Sequence, residues 1–428
     1  MAKQEEITPR NFEERMVWYT ITWTYGLYVI GGLYLAAPVI AWILVFYLCK
    51  KLVLQNSQTP VEERVTIPFG VWVWIIAMIV MLVALLMGHL DYNLSNGEII
   101  KSTLGWAKGW ALLAIFPLIG CLNIRPELVY RAGCVVCYQT LLFFPLFYIA
   151  YLAHLPATLY VSPLQAVGGP GPDFFAMNLY EVDPEAGSAR WRLFTPWAPA
   201  LGFVANIYLI FAFQEKSIKW RVLAIFGSLL MCQVSASRLA LVNLVVVSSL
   251  TWLLSRLTRP RVLIVLGFAS PVMGLFGPSI IKAYKNFNDA FKAARAGSSR
   301  VRAALGRIAY DRWESEAPIW GHGVVEKGPH VAEHMPIGSH HSWFGILFVK
   351  GIVGFFALAV PMLWTFLEFL IKCQTSNVAK SGLSIIFTIF LYTFGENLEI
   401  LAYLFWPALV ILGIAMKEKT GNPFNGNF

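Results

Sequence analysis

In the stretch IGSHHSWFGILFVKG, residues 337–351, His340 and His341 stand where polar sequence gives way to strongly apolar sequence. An imidazole at such a boundary can take a proton from a hydroxyl near neutral pH, which is the work of a general base. Five of the seven histidines fall between positions 322 and 341, so a metal site has to be weighed first. HVAEH, residues 330–334, has the H-x-x-E-H spacing that puts two imidazoles on one helical face. Pro329 and Pro336 leave room for at most about one turn of helix there, and no third carboxylate ligand belongs to the pattern. His322, His330 and His334 are therefore expected to be polar loop residues, with His340 and His341 as the chemical pair. The structural alternative for that pair is an interfacial role beside Trp343 in an aromatic belt.

Arg238 adds a second chemical group. VSASRLALVNL places a single guanidinium between two apolar runs, with Ser235 and Ser237 beside it. A cation near the end of membrane helices is costly and suggests function, and a guanidinium suits two-pronged recognition of phosphate. A structural ion pair or snorkelling to the surface is the competing explanation. Lys108 and Lys350 are also set in apolar sequence, and Lys350 is expected to pair with an acid such as Glu396. A basic face with a candidate base, at the depth of a lipid headgroup, suits group transfer from a lipid-linked phosphate. The acceptor hydroxyl needs a proton acceptor and the departing diphosphate needs its charge stabilised, which arginines supply without a metal. No cofactor is expected.

These side chains must be positioned by membrane helices. The 428 residues are 57% hydrophobic and only 13% charged, with mean hydropathy +0.62. Apolar runs recur at 17–32, 34–49, 67–90, 104–122, 133–153, 193–213, 222–235, 239–254, 262–281, 343–371, 383–394 and 398–416. Runs near twenty residues match a hydrocarbon core about 30 Å thick. We therefore expect an all-α, polytopic membrane protein of about twelve helices, a single membrane domain over 1–428. Residues 17–49 read as two short helices hinged near GGLYLAAP. With the N-terminus in the cytoplasm, the basic clusters at 50–51, 125–131, 216–221, 256–261, 372–380 and 417–419 all fall inside. The polar N-terminal segment MAKQEEITPRNFEER is not expected to be a cleaved signal.

Two long loops fall on the outer side, 154–192 and 282–341. The second carries nine basic residues against six acids and has helical periodicity around a Gly-Ser break. Such a surface suits an anionic ligand such as a phosphate ester. The six cysteines lie in or beside apolar runs, which argues against a disulfide framework, and the CVVC at Cys134 reads as helix packing. Nothing resembles a nucleotide-binding domain, and no nucleic-acid partner is expected.

Three segments together resemble the O-antigen ligase and polymerase superfamily of bacterial inner-membrane glycosyltransferases. SASR resembles that family's serine-arginine at a helix junction. SSRVRAALGRIAYDRWESEAPIWGHG resembles its arginine followed by a helix and a P-x-x-G-x-G turn, here Pro318, Gly321 and Gly323. GSHHSWFGILFVKGIVG resembles its histidine, small polar residue and later G-x-x-G. The resemblance implies a GT-C-like, lipid-dependent glycosyltransferase architecture whose large periplasmic loop, 282–341, serves catalysis. It implies a histidine that deprotonates the acceptor sugar and two arginines that hold the diphosphate of an undecaprenyl-linked oligosaccharide or polysaccharide. Arg238 takes the first arginine role, and the second falls on Arg300 or Arg302. His340 has the family's spacing to Gly351 but is followed by His341 where Asn, Ser or Gln is usual; His341 is followed by Ser342 but stands one residue too near. The reaction implied is metal-independent and inverting. The GSHHSWFG form favours polymerisation of an O-antigen, capsule or exopolysaccharide, with a chain-length regulator as a further partner. Ligation to lipid A-core shares the same chemistry, and a lipid-linked glycan transporter or flippase is the alternative of another class.

Overall fold

The computed structural model describes residues 7–60, 63–183, 187–293, 296–330 and 334–419. Asn11 caps the first helix by accepting the Glu14 N–H. From there α1 (Phe12–Thr22) and α2 (Thr24–Val29) run to a turn at Gly31 and Gly32, and α3 (Leu33–Leu54) returns. The hinge expected near GGLYLAAP is thus present, with Gly31 at φ +69°. Next come α4 (Phe69–Asp91), α5 (Asn96–Lys108), α6 (Leu112–Ile119) and α7 (Pro126–Leu152). The segment after α7 holds two small antiparallel hairpins. In one, β1 (Thr158–Val161) pairs with β2 (Ala176–Asn178); in the other, β3 (Glu181–Val182) pairs with β4 (Ala189–Arg190). The chain continues through α8 (Ala198–Gln214), α9 (Ile218–Val234), α10 (Arg238–Leu254), α11 (Pro260–Ala293) and α12 (Ala296–Glu316). It ends with α13 (Ser342–Lys372), α14 (Asn377–Tyr392) and α15 (Leu398–Lys417).

A helix lies over each of the twelve apolar stretches. By length and apolarity six qualify as membrane spans among the described residues: α3, α4, α5 with α6, α7, α13 and α15. A pair bent by 65° within α11 would make a seventh, and α8, α10 and α14 are apolar but shorter. Large apolar side chains such as Phe46, Leu146, Phe226 and Val245 are exposed on the helices, as lipid contact requires. The centre is α15, almost wholly buried. At Gly413 it approaches α6 so closely that a Cβ would overlap the Pro117 carbonyl, the close packing that small residues allow between membrane helices.

Polar bonds tie the helix ends into two layers. At one end, buried Glu14 holds Arg125 at 2.7 Å, buried Glu13 holds Lys51 at 2.7 Å and buried Glu215 holds Arg131 at 2.7 Å. These pairs lock the start of α1, the ends of α3 and α8 and the start of α7. Removing one partner would strand a buried charge, so the cost of breaking them far exceeds that of losing an exposed pair. Lys372 and Lys417 donate at the same end to the carbonyls of buried Met416 and Leu122. The other end gathers the first loop. Tyr28 Oη donates to the Asn178 carbonyl at 2.8 Å, and the Trp191 N–H donates to the Val234 carbonyl at 3.0 Å.

One expected span is not continuous. The run 343–371 is interrupted at Gly351, with φ +60° and ψ −162°. Residues 318–323 fill the gap. The Ile352 N–H donates to the Pro318 carbonyl at 3.0 Å, while the His322 and Gly323 N–H groups donate to the Phe348 and Val349 carbonyls at 2.8 and 3.0 Å. A broken membrane helix survives only when its freed backbone groups find partners, and here the Pro318–Gly323 turn supplies them. A Cβ on Gly321 or Gly351 would overlap the opposing backbone. The glycines of P-x-x-G-x-G and of Lys350-Gly351 are therefore required by this crossing.

Candidate active site

The SAS sequence builds a tight junction between α9 and α10. Ser235 Oγ donates to the Cys232 carbonyl at 2.8 Å and closes α9. Ala236 takes φ +48°, and Ser237 caps α10 by accepting the Ala240 N–H. Arg238 is then the first residue of α10. A cation there opposes the positive end of the helix dipole, so helix stability does not explain it. The same end of a helix attracts anions, which the guanidinium reinforces. Leu239 packs on Gly395, so this junction abuts the turn between α14 and α15.

That turn also holds the histidines. Ser342 is buried; its N–H donates to the Thr393 carbonyl at 2.8 Å and its Oγ donates to the Glu396 carbonyl at 2.6 Å while accepting the Leu398 N–H at 3.1 Å. Trp343 Nε1 donates to Thr393 Oγ1 at 2.8 Å. His340 and His341 are thereby fixed against residues 393–398, yet they differ. His341 is the N-cap of α13, its Nδ1 accepting the Phe344 N–H at 3.3 Å. With Nδ1 so engaged, the neutral ring carries its proton on Nε2 and presents a donor. His340 adopts φ +60°, an uncommon conformation for a residue other than glycine, and no described residue hydrogen-bonds its ring. Such strain is held in place by the surrounding structure, here the Ser342 bonds.

Electrostatics separates Arg300 from Arg302. Both are exposed on α12, on either side of buried Val301. The charge of Arg302 acts on both His340 and Glu396. Burial first, and then Arg302, pushes His340 from its usual 6.5 down to about 4. Burial alone pushes His341 down to about 4. Glu396 is buried, accepts a hydrogen bond from Trp197 Nε1 at 2.9 Å and is raised by burial to about 7, with Arg302 and Trp197 opposing the rise. The structure thus brings Arg302, His340, Glu396 and the Arg238 junction to one end of the helix bundle, and Arg302 rather than Arg300 is the arginine that acts on His340 and Glu396.

Two expectations need correction. Lys350 faces Glu399, at 3.7 Å, because the break at Gly351 places it beside the first turn of α15 rather than beside Glu396. His322 is not a solvated loop residue. It is buried, stacked on Phe348 with ring centroids 4.2 Å apart, and held by the Phe348 carbonyl at 3.0 Å and Glu316 at 2.8 Å. Arg312 and His322 hold the Glu316 carboxyl down at about 2. The long loop 154–192 carries the two hairpins. Sequence reasoning also missed Trp197, for which a lone tryptophan before an apolar helix gives no signal. His330 and His334 are exposed with rings 5.6 Å apart, and residues 331–333 lie outside the described residues.

Residues 222–359, from α9 into α13, match the family described as O-antigen ligase. The matched span contains Arg238, Arg300, Arg302, His340 and His341. No curated protein matches the chain.

Proposed function

On the premise of that likeness to the O-antigen ligase and polymerase superfamily, we propose that this protein transfers a glycan from a polyprenyl diphosphate to the hydroxyl of an acceptor sugar. The donor is an undecaprenyl-linked glycan, and the reacting end of the bundle faces the periplasm from the inner membrane. His340 takes the proton of the acceptor hydroxyl. The freed oxygen forms a bond to the anomeric carbon, the bond from that carbon to the phosphate oxygen breaks, and the diphosphate leaves with the electron pair. Attack from the side opposite the leaving group inverts configuration. Arg302 and Arg238, with the N-terminus of α10, receive the charge that develops on the diphosphate. His341 acts as the cap that orients the half-helix bearing His340.

The observation that carries this reading is that the charge of Arg302 reaches both the His340 imidazole and the buried Glu396 carboxyl at one end of the bundle. The locked ion pairs lie at the other end. A transporter would be expected to use charges near the midplane instead. The acceptor we favour is a second lipid-linked glycan, so that the product is a longer polymer. The test is surface-glycan analysis of a strain lacking the protein and complemented with His340→Ala. Single repeats without long chains support polymerisation, whereas long chains accumulating on the lipid carrier indicate ligation. His340→Ala should lose about a hundredfold or more in transfer, the usual contribution of a general base. Full product from that variant would refute the assignment.

A further inference from the structure

A cleft borders the half-helix 342–350 on a face away from Arg302. It is lined by Trp110, Ser339, Ser342, Lys350, Asn397 and Glu399, among others, and begins one residue from His340. Its polar groups are unusual. Trp110 is 3% exposed and Lys350 4% exposed. Trp110 Nε1, Ser339 Oγ and Asn397 Oδ1 are buried atoms with no hydrogen-bond partner among the described residues. Lys350 lies 5.4 Å from the Trp110 ring centroid and is ion-paired with Glu399 at 3.7 Å. Buried polar atoms are normally bonded, so three such atoms converging on one cleft, beside the Lys350–Glu399 pair, suggest a ligand that bonds them.

Their chemistry identifies its class. Trp110 and Lys350 donate, Asn397 Oδ1 and Glu399 accept, and Ser339 does either. An anion would meet two acceptors, and a cation would meet Lys350. A hydroxylated, uncharged ligand satisfies all of them, because each hydroxyl both donates and accepts. The cleft has about 390 Å³ of empty space, its open mouth included. One hydroxyl or hydroxymethyl arm enters it, with the sugar ring remaining at the mouth.

Position distinguishes acceptor from donor. Gly306 and Arg312 of α12, the helix that carries Arg302, pack against Phe344 and Phe348. The cleft instead lies along Ser342, Gly345, Ile346 and Val349. His340 stands just before the half-helix, in sequence between the cleft-lining Ser339 and Ser342. An inverting displacement needs its nucleophile and leaving group on opposite sides of the anomeric carbon, with the base beside the nucleophile. We propose that this cleft is the acceptor subsite, which binds a neutral sugar by one polar arm and presents a neighbouring hydroxyl to His340. The proposal rests on the glycosyl-transfer reading above.

The test uses the full chain in lipid nanodiscs and, as probe, the neutral oligosaccharide released by mild acid from the producing strain's own lipid-linked glycan. Its Kd is measured by calorimetry and its KM in transfer from the lipid-linked donor. Trp110→Phe keeps the ring and deletes the donor, and Asn397→Ala alters a partly exposed position that folding tolerates. Each should raise Kd and acceptor KM about tenfold, as expected for a lost hydrogen bond, with a smaller change in donor half-saturation. His340→Ala should retain the probe's Kd while losing turnover. Unchanged Kd in both cleft variants, or no binding by the native chain, would mean that the cleft holds water only and would overturn the proposal. Retained turnover in His340→Ala would instead defeat the general-base assignment, leaving the cleft to be decided by Kd.

Discussion

The pH dependence of transfer gives the sharpest check on His340. Burial and the Arg302 charge hold its imidazole at about 4 instead of 6.5. A lowered value means that the neutral, proton-accepting form persists as pH falls. At pH 5.5 an unperturbed histidine would be about 10% neutral, whereas one at about 4 would be about 97% neutral. Because kcat/KM reports the free enzyme, it should stay nearly level from pH 7.5 to 5.5, where an ordinary histidine base would lose about tenfold. The donor adds no limb of its own, since a doubly esterified diphosphate does not titrate near neutrality. Glu396 does, at about 7, so the measurement belongs in a Glu396→Gln background. There the amide oxygen can still accept from Trp197, and the group stays uncharged throughout.

The bound complex should behave differently. Diphosphate charge beside Arg302 offsets the field on His340 and raises its affinity for the proton. The acid limb of kcat should therefore lie at higher pH than that of kcat/KM. Arg302→Gln should move the kcat/KM limb upward only in part, because burial is the larger cause of the shift. Initial rates in nanodiscs between pH 5 and 8 decide the matter. A kcat/KM that falls about tenfold with an apparent pKa near 6.5, in Glu396→Gln, would refute the buried placement of His340 as the base in the free enzyme.

Other outcomes follow from the same geometry. His341→Asn should preserve both the cap and transfer, while His341→Ala should cost about 1 kcal/mol of stability in thermal unfolding; loss of transfer in His341→Asn would make His341 the base. Arg302→Ala should raise donor KM about ten- to hundredfold, as for a lost charge-assisted bond, and Arg300→Ala should leave it nearly unchanged. An equal loss in both would remove the distinction between them. Gly351→Ala should lose most folded protein in size-exclusion profiles, since left-handed backbone alone costs about 1–2 kcal/mol and the new methyl overlaps the Ile319 carbonyl. A native profile would show that the break in α13 is dispensable.

How far the sequence foretold this site depends on which forces act locally. Helix positions were legible because run length and apolarity are local quantities, and the serines of SASR announce a junction by their capping chemistry. Arg300 and Arg302 could not be separated that way. Both neighbour Val301, each turned about 100° from it around α12, and only the direction of residues 393–398 decides which one faces the histidine. The break in α13 was hidden for a related reason. Lys350 and Gly351 sit in an unbroken apolar pattern, and what opens the helix is a distant segment whose backbone competes for the same hydrogen bonds. The half-helix bearing His340 is consequently oriented by Pro318–Gly323 and by Ser342, not by the axis of the span below it. A substitution in that turn should therefore misalign the proposed base while leaving every membrane helix in place, so Gly321 and Gly323 belong to the candidate site as much as His340 does.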